Sequence, residues 1–249
     1  MSEFLDLWIG WDSRQPLSYD VFCSSLNRRT SRPLHVRPLM LKPLRGEGLY
    51  TREHVIKDGQ AWDSISGAPM STEFALSRFL VPYLQGLQGA GWCLFAECDM
   101  LALADIAELF ALADDRYAVM CVKHVYRPKG LRKMDAQSQT RYSCKNWSSL
   151  MLINAGHPAN RRLTIEMVNT LPGRDLHSFC WLDAGEVGEL PAEWNHLFGE
   201  EEQAPHPKLL HYTLGTPETL MAPWLHECMR LRRPLPADAA VAQATPDAA

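Results

Sequence analysis

The sequence predicts an α/β fold in which a largely parallel central sheet is covered by helices on both faces. Short apolar runs bounded by polar turns alternate with segments of helical spacing, the pattern of strands joined through crossover helices. The runs FLDLWIG, WCLFA, YAVMCV and SLMLI are mostly or wholly apolar, as expected of strands buried on both faces. The 249 residues are 46% hydrophobic. That suits one sizeable domain, because a chain of this length buries roughly 70–75% of its unfolded surface.

Residues 4–10 read as a first strand that stops at Trp11-Asp12-Ser13. Residues 18–28 carry Tyr19, Phe22, Cys23 and Leu26 at helical spacing. Residues 34–41 form a second strand, which Pro38 places at an edge. Residues 46–70 hold four glycines and little periodicity, so a long loop is expected, either functional or a surface excursion. Ser71 or Thr72 caps a helix toward Gln88, with a stripe from Leu76 to Leu87 and a kink or break at Pro82.

Residues 92–96 form an apolar strand that ends abruptly at Glu97-Cys98-Asp99. Asp105 and Glu108 make a capping box for a helix over residues 106–112. Strands are expected at 117–122 and 149–153, with a polar, basic stretch at 127–145 between them, and a helix at 160–170. The folded domain spans 1–233, and the Pro/Ala-rich residues 234–249 read as a disordered tail.

Composition removes several function classes. A net charge of −4 argues against nucleic acid as partner. Seven scattered cysteines without a C-x-x-C pair argue against a disulfide framework and a thiolate zinc site. No run approaches the ~18 apolar residues of a transmembrane helix. The N-terminus carries acids where a signal peptide has a basic region. A cytoplasmic location is expected, and peripheral membrane attachment is compatible with it.

Glu97 and Asp99, spaced i, i+2 at a strand's carboxyl end, form the leading site candidate. Two adjacent carboxylates repel, and a hard divalent cation such as Mn²⁺ or Mg²⁺ relieves that cost while sharing its site with phosphates. The plainer alternative is solvated or capping acids, although Asp105 already supplies the next cap.

The stretches STEFALSRFLVPYL, GWCLFAECDMLALADIAELF, KNWSSLMLINAGHP, LPAEWNHL and KLLHYTLGTP resemble, in order, the motifs of GT-A glycosyltransferases, most closely family 8 and its bacterial relatives. The resemblance implies a single GT-A, Rossmann-like domain that moves a hexose from a nucleotide-diphosphate sugar, most readily a UDP-sugar, to a glycan or lipid-linked acceptor with retained configuration, as in polysaccharide assembly. It places Glu97 and Asp99 at the D-x-D positions and His211 as third ligand of Mn²⁺ or Mg²⁺. Arg78 falls near the diphosphate. Asp12, with Trp11 beside it, falls where the nucleoside is held. Asn146 and Ser149 fall near the sugar as candidate catalytic residues.

The sequence departs from that pattern in three places. The first acid is Glu97. The Lys of the C-terminal motif is absent, leaving Arg78, Lys123, Lys145 or the metal to neutralise phosphate. The family's D-Q-D loop is not recognisable, and Asp183 is the nearest acidic candidate. A decayed transferase that only binds nucleotide-sugar or glycan is one alternative. A sugar nucleotidyltransferase is another, weakened because IGWDSRQPLS lacks a Gly-rich triphosphate loop.

Overall fold

The computed structural model describes residues 3–124, 144–199 and 206–214, together with Glu227 and Arg230. The expected tail at 234–249 and most of the basic stretch at 127–145 lie outside these residues. The chain begins β1 (Leu5–Gly10), α1 (Pro16–Asn27), β2 (Leu34–Leu39), α2 (Leu41–Gly46), β3 (His54–Lys57), β4 (Gln60–Asp63) and β5 (Ala68–Pro69). A 3₁₀ turn (Ser77–Leu80) leads into α3 (Val81–Leu87), then β6 (Trp92–Ala96), β7 (Met100–Ala102), α4 (Ile106–Phe110) and β8 (Val119–Cys121). The remainder is β9 (Leu150–Asn154), α5 (Ile165–Thr170), α6 (Gly173–His177), β10 (Val187–Glu189), β11 (His196–Leu197) and β12 (Leu209–His211). Among the described residues no helix is long and apolar enough to cross a membrane.

The main sheet has the order β10-β8-β9-β6-β1-β2. All its strands run parallel except β9, which is antiparallel to both β6 and β8. Burial of β6, β8 and β9 on both faces explains their apolar runs. β2 lies at the edge, where Pro38 is tolerated. The carboxyl ends of β1, β2, β6 and β8 and the start of β9 therefore share one rim.

A second sheet, β11-β12-β7, sets the functional geometry. β7 follows directly after Asp99 and pairs antiparallel with β12, so His211 lies opposite Met100. Tyr212 N–H donates to the Asp99 carbonyl at 2.9 Å. The sheet thus delivers His211 to the acidic turn from 114 positions beyond Glu97.

Several expectations are corrected. Residues 46–70 contain the antiparallel sheet β3-β4-β5. Its hairpin turns at Asp58-Gly59, both at positive φ (51° and 77°), the residue pair that two-residue hairpin loops favour. β3 is exposed along its whole length, so burial imposed no periodicity on it. The helix expected from 71 to 88 is only α3, with Pro82 in its first turn, where a missing N–H costs nothing. The helix expected at 160–170 divides into a 3₁₀ turn and α5, whose N-terminus Thr164 caps through the Met167 N–H. Asp105 caps α4 through the Ala107 N–H. Glu108 takes no part in a box, since it pairs with Lys208 at 2.8 Å.

A buried pair fastens the small sheet to the domain. Arg52 forks onto Asp63 at 3.0 and 2.6 Å and donates to the Val168 and Leu171 carbonyls at the end of α5. These bonds satisfy both the guanidinium and the orphan carbonyls of the helix terminus.

Candidate metal and donor site

Glu97, Asp99 and His211 converge at the sheet rim, with one ligand atom from each within 4.8 Å of the others. His211 Nε2 lies 3.2 Å from Glu97 Oε2 and 3.4 Å from Asp99 Oδ1. Arg78, 3% exposed, holds the other Glu97 oxygen at 2.6 Å and donates to the Ser148 and Phe74 carbonyls. It pairs with Glu97 rather than Glu73, which instead accepts from the Ser13 hydroxyl.

Burial opposes charge on Glu97, but Arg78 and His211 outweigh it and hold the carboxyl well below the ordinary range. Burial likewise opposes charge on His211, and Asp99 and Glu97 overcome it and push the imidazole well above its ordinary value. His177 is the converse. Burial and then the Arg78 charge push it down to about 3, against Glu97, so it stays neutral at physiological pH.

The donor set fits a hard divalent ion. Asp99 Oδ1 is buried without a hydrogen bond, an unusual state for a buried polar atom, and the nearest cation is the His211 imidazole at 3.4 Å. Glu97 Oε2 and the imidazole face the same point, and two carboxylates with one imidazole suit Mn²⁺ or Mg²⁺ better than a soft metal.

Glu97 of the cluster lines a cleft of about 510 Å³, together with Arg78, Asn146, Ser148, Ser149 and His177. That volume lies within the usual range for small-molecule sites. Asn146 adopts a left-handed conformation (φ 64°) at the mouth of β9. Ser148 shares a 2.7 Å hydrogen bond with His177 Nδ1. Lys145 is half-buried beside Asn146.

Asp12 is buried at the end of β1. Its oxygens accept from the Arg14 guanidinium and the Arg14 and Glu73 N–H groups. Trp11 is half-buried, and its N–H donates to the Leu39 carbonyl. Neither lines the large cleft. Ser13, Arg14, Thr72 and Glu73 instead border a smaller hollow of about 200 Å³ beside it.

Asp183 is not brought to the cluster. Its side chain is 85% exposed and faces Arg162. It precedes β10, whose first residue pairs with the first residue of β8, at the opposite end of the sheet from Glu97. The segment that reaches the cleft is α6, through Gly173, Arg174 and His177. GRDLH holds a single acid and no D-Q-D pair, so its sequence gives no sign of this placement. Asn195, within the LPAEWNHL stretch, is buried against His211 Nδ1 at 3.0 Å.

No sequence-family model matches the chain. It is similar in structure to the WbbM bifunctional glycosyltransferase (TM-score 0.59, 11% identity, 98% of this chain, 52% of that one). It is also similar to mouse xyloside xylosyltransferase 1 (TM-score 0.54, 14% identity, 86% and 99%). A third likeness is to galactosyltransferase LgtC in complex with donor and acceptor sugar analogs (TM-score 0.54, 11% identity, 95% and 99%). The chain spans about half the length of WbbM. These likenesses show that the fold is GT-A-like. In sequence, the chain is 45% identical to Protein CDI of Arabidopsis thaliana over 216 residues, covering 85% of this chain and 78% of that protein. The chain therefore belongs to the family of Protein CDI.

Proposed function

We propose that this chain is a metal-dependent glycosyltransferase of the family 8 type, moving a hexose from a UDP-sugar to a hydroxyl acceptor with retained configuration. The observation that carries this reading is the Glu97–Asp99–His211 cluster at the rim of a GT-A-like sheet, with Glu97 lining the cleft. Glu97 Oε2, Asp99 and His211 Nε2 would hold Mn²⁺ or Mg²⁺. Such an ion stabilises the negative charge that develops on a departing diphosphate.

The chain's own groups set the rest. Arg78 keeps Glu97 ionised and aimed at the ligand position. Asn146, Ser148 and His177 offer polar atoms to sugar hydroxyls along the cleft. Lys145 stands near the phosphates, while Trp11 and Asp12 shape the nucleoside end through Arg14. The bond from sugar C1 to diphosphate oxygen breaks with its electron pair leaving on oxygen. The acceptor hydroxyl bonds to C1 from the same face and passes its proton to the departing phosphate, so no protein base is required. The acceptor would be a glycan or a lipid-linked hydroxyl. The folded unit is taken as residues 1–233.

Calorimetry with Mn²⁺, UDP and a panel of UDP-hexoses tests this reading, followed by assays of slow donor hydrolysis. Metal-dependent UDP binding is the expected result. If neither metal nor diphosphate binds at millimolar concentration, the reading is wrong.

A further inference from the structure

Asn195, Ser149 and Asn146 form a buried hydrogen-bond chain behind the imidazole of His211, and its polarity can be read without seeing a hydrogen atom. Ser149 Oγ lies 2.6 Å from the Asn146 carbonyl. A carbonyl only accepts, so the single Ser149 proton is spent there. Asn195 Nδ2 lies 2.9 Å from the same Ser149 oxygen, which can then only accept. That fixes the Asn195 amide with its nitrogen toward Ser149 and its oxygen toward His211 Nδ1, 3.0 Å away. An amide oxygen also only accepts, so Nδ1 must carry a proton. Once His211 is neutral, its lone pair is confined to Nε2, the nitrogen facing Glu97 and Asp99.

We propose that Asn195 and Ser149 are positioning residues that hold His211 in the metal-binding tautomer and tie it to the cleft loop at Asn146. The proposal rests on the metal-site reading above and adds two residues that do not touch the ion. The backbone supports it. Asn195 closes a 3₁₀ turn two residues before Leu197, which pairs in register with His211. Trp194 anchors the turn in the core, with the Lys208 ammonium over its ring. Asn195, Ser149 and His211 are all buried, with Ser149 at the wall of the cleft. Because Asn146 lines the cleft, a ligand that shifts this loop would be felt at the imidazole, and metal occupancy would be felt at the loop.

The test is Mn²⁺ titration by calorimetry, without donor, on wild type, Asn195→Leu, Asn195→Asp, Ser149→Ala and Ser149→Thr, with unfolding of each followed in EDTA. Asn195→Leu keeps the size and removes the acceptor, and loss of such an outer partner weakens metal binding by about 10- to 100-fold. Asn195→Asp keeps an acceptor and should bind within a few-fold of wild type. Ser149→Ala frees the amide to turn its NH₂ toward His211 and should lose about tenfold, while Ser149→Thr should recover it.

Equal losses in the Leu and Asp variants, or no loss in Leu, would overturn the proposal. If Asn195→Leu does not fold, the Ser149 pair decides in the same way, and equal binding by Ala and Thr refutes. Failure of wild type to bind Mn²⁺ would instead strike the metal-site reading itself, and this inference with it.

Discussion

The Arg78 guanidinium sits 2.6 Å from Glu97 Oε1, so a carboxylate that would bind metal is already half-neutralised by a buried cation. Only the second Glu97 oxygen faces His211. The pair therefore has two separable effects. It stabilises the metal-free fold, and it lowers the attraction of the site for a dication. In Arg78→Met the Glu97 charge keeps only the His211 imidazole as partner. Breaking a buried pair from one side costs about 3–5 kcal/mol. Urea unfolding in EDTA should show that loss, and Mn²⁺ should restore more stability to the variant than to wild type. An unchanged midpoint in EDTA would show that the pair does not hold the rim together.

Asp99→Asn should weaken metal binding far more than folding. Asp99 Oδ1 lies 3.4 Å from His211 Nε2, so the substitution removes one of the two carboxylates that hold the imidazole charged and leaves Glu97 beside it. Unfolding in EDTA should show a modest loss, while Mn²⁺ affinity and donor turnover fall together. Wild type should gain about 2.7 kcal/mol when Mn²⁺ is present at 100 times its dissociation constant, and the variant should gain far less at the same concentration. Full metal stabilisation of Asp99→Asn would remove Asp99 from the ligand set.

The acidic turn was legible because it needs only local information: an apolar strand that ends in two carboxylates. His211 was reached through motif resemblance, since no local rule links residues 114 positions apart. The pairing of β7 with β12 that joins them is three residues long, too short to show a strand period. The Asn195 bond to His211 is not legible in the sequence, because hydrogen-bond partners leave no mark on spacing. The β3–β4 hairpin carries its signal only in Asp58-Gly59, because β3 is exposed along its whole length and has no apolar alternation to show.

The Arg52–Asp63 pair that moors this small sheet, part of which walls the cleft, should give a pH-dependent stability. Burial pushes the Asp63 carboxyl up, but bonds from Arg52 and Ser66 outweigh it and hold it below the ordinary value of 3.8. A depressed carboxyl contributes its stability above the unfolded value and loses it as pH falls through the folded one. Asp63→Asn should therefore be less stable by about 3–5 kcal/mol at neutral pH, with the gap to wild type narrowing below pH 3.8. Urea midpoints that kept a constant gap from neutral pH down to about pH 2.5 would contradict this linkage.

Gly10 closes β1 two residues before Asp12, and a Cβ added there would meet the Phe74 ring at 2.5 Å. Phe74 is fully buried and lies under the Arg78 guanidinium, 5.4 Å from its ring centroid. The ring cannot retreat without moving the segment that carries Arg78, whose backbone N–H bonds the Phe74 carbonyl. Gly10→Ala should therefore cost about 1–3 kcal/mol by overpacking and also disturb the metal site, although residue 10 touches no ligand. Phe74→Leu combined with Gly10→Ala should recover part of the loss by making room, while Phe74→Leu alone should be destabilising. The four proteins form a double-mutant cycle in both unfolding free energy and Mn²⁺ affinity. Strict additivity in both would show that the glycine is not there to admit the ring.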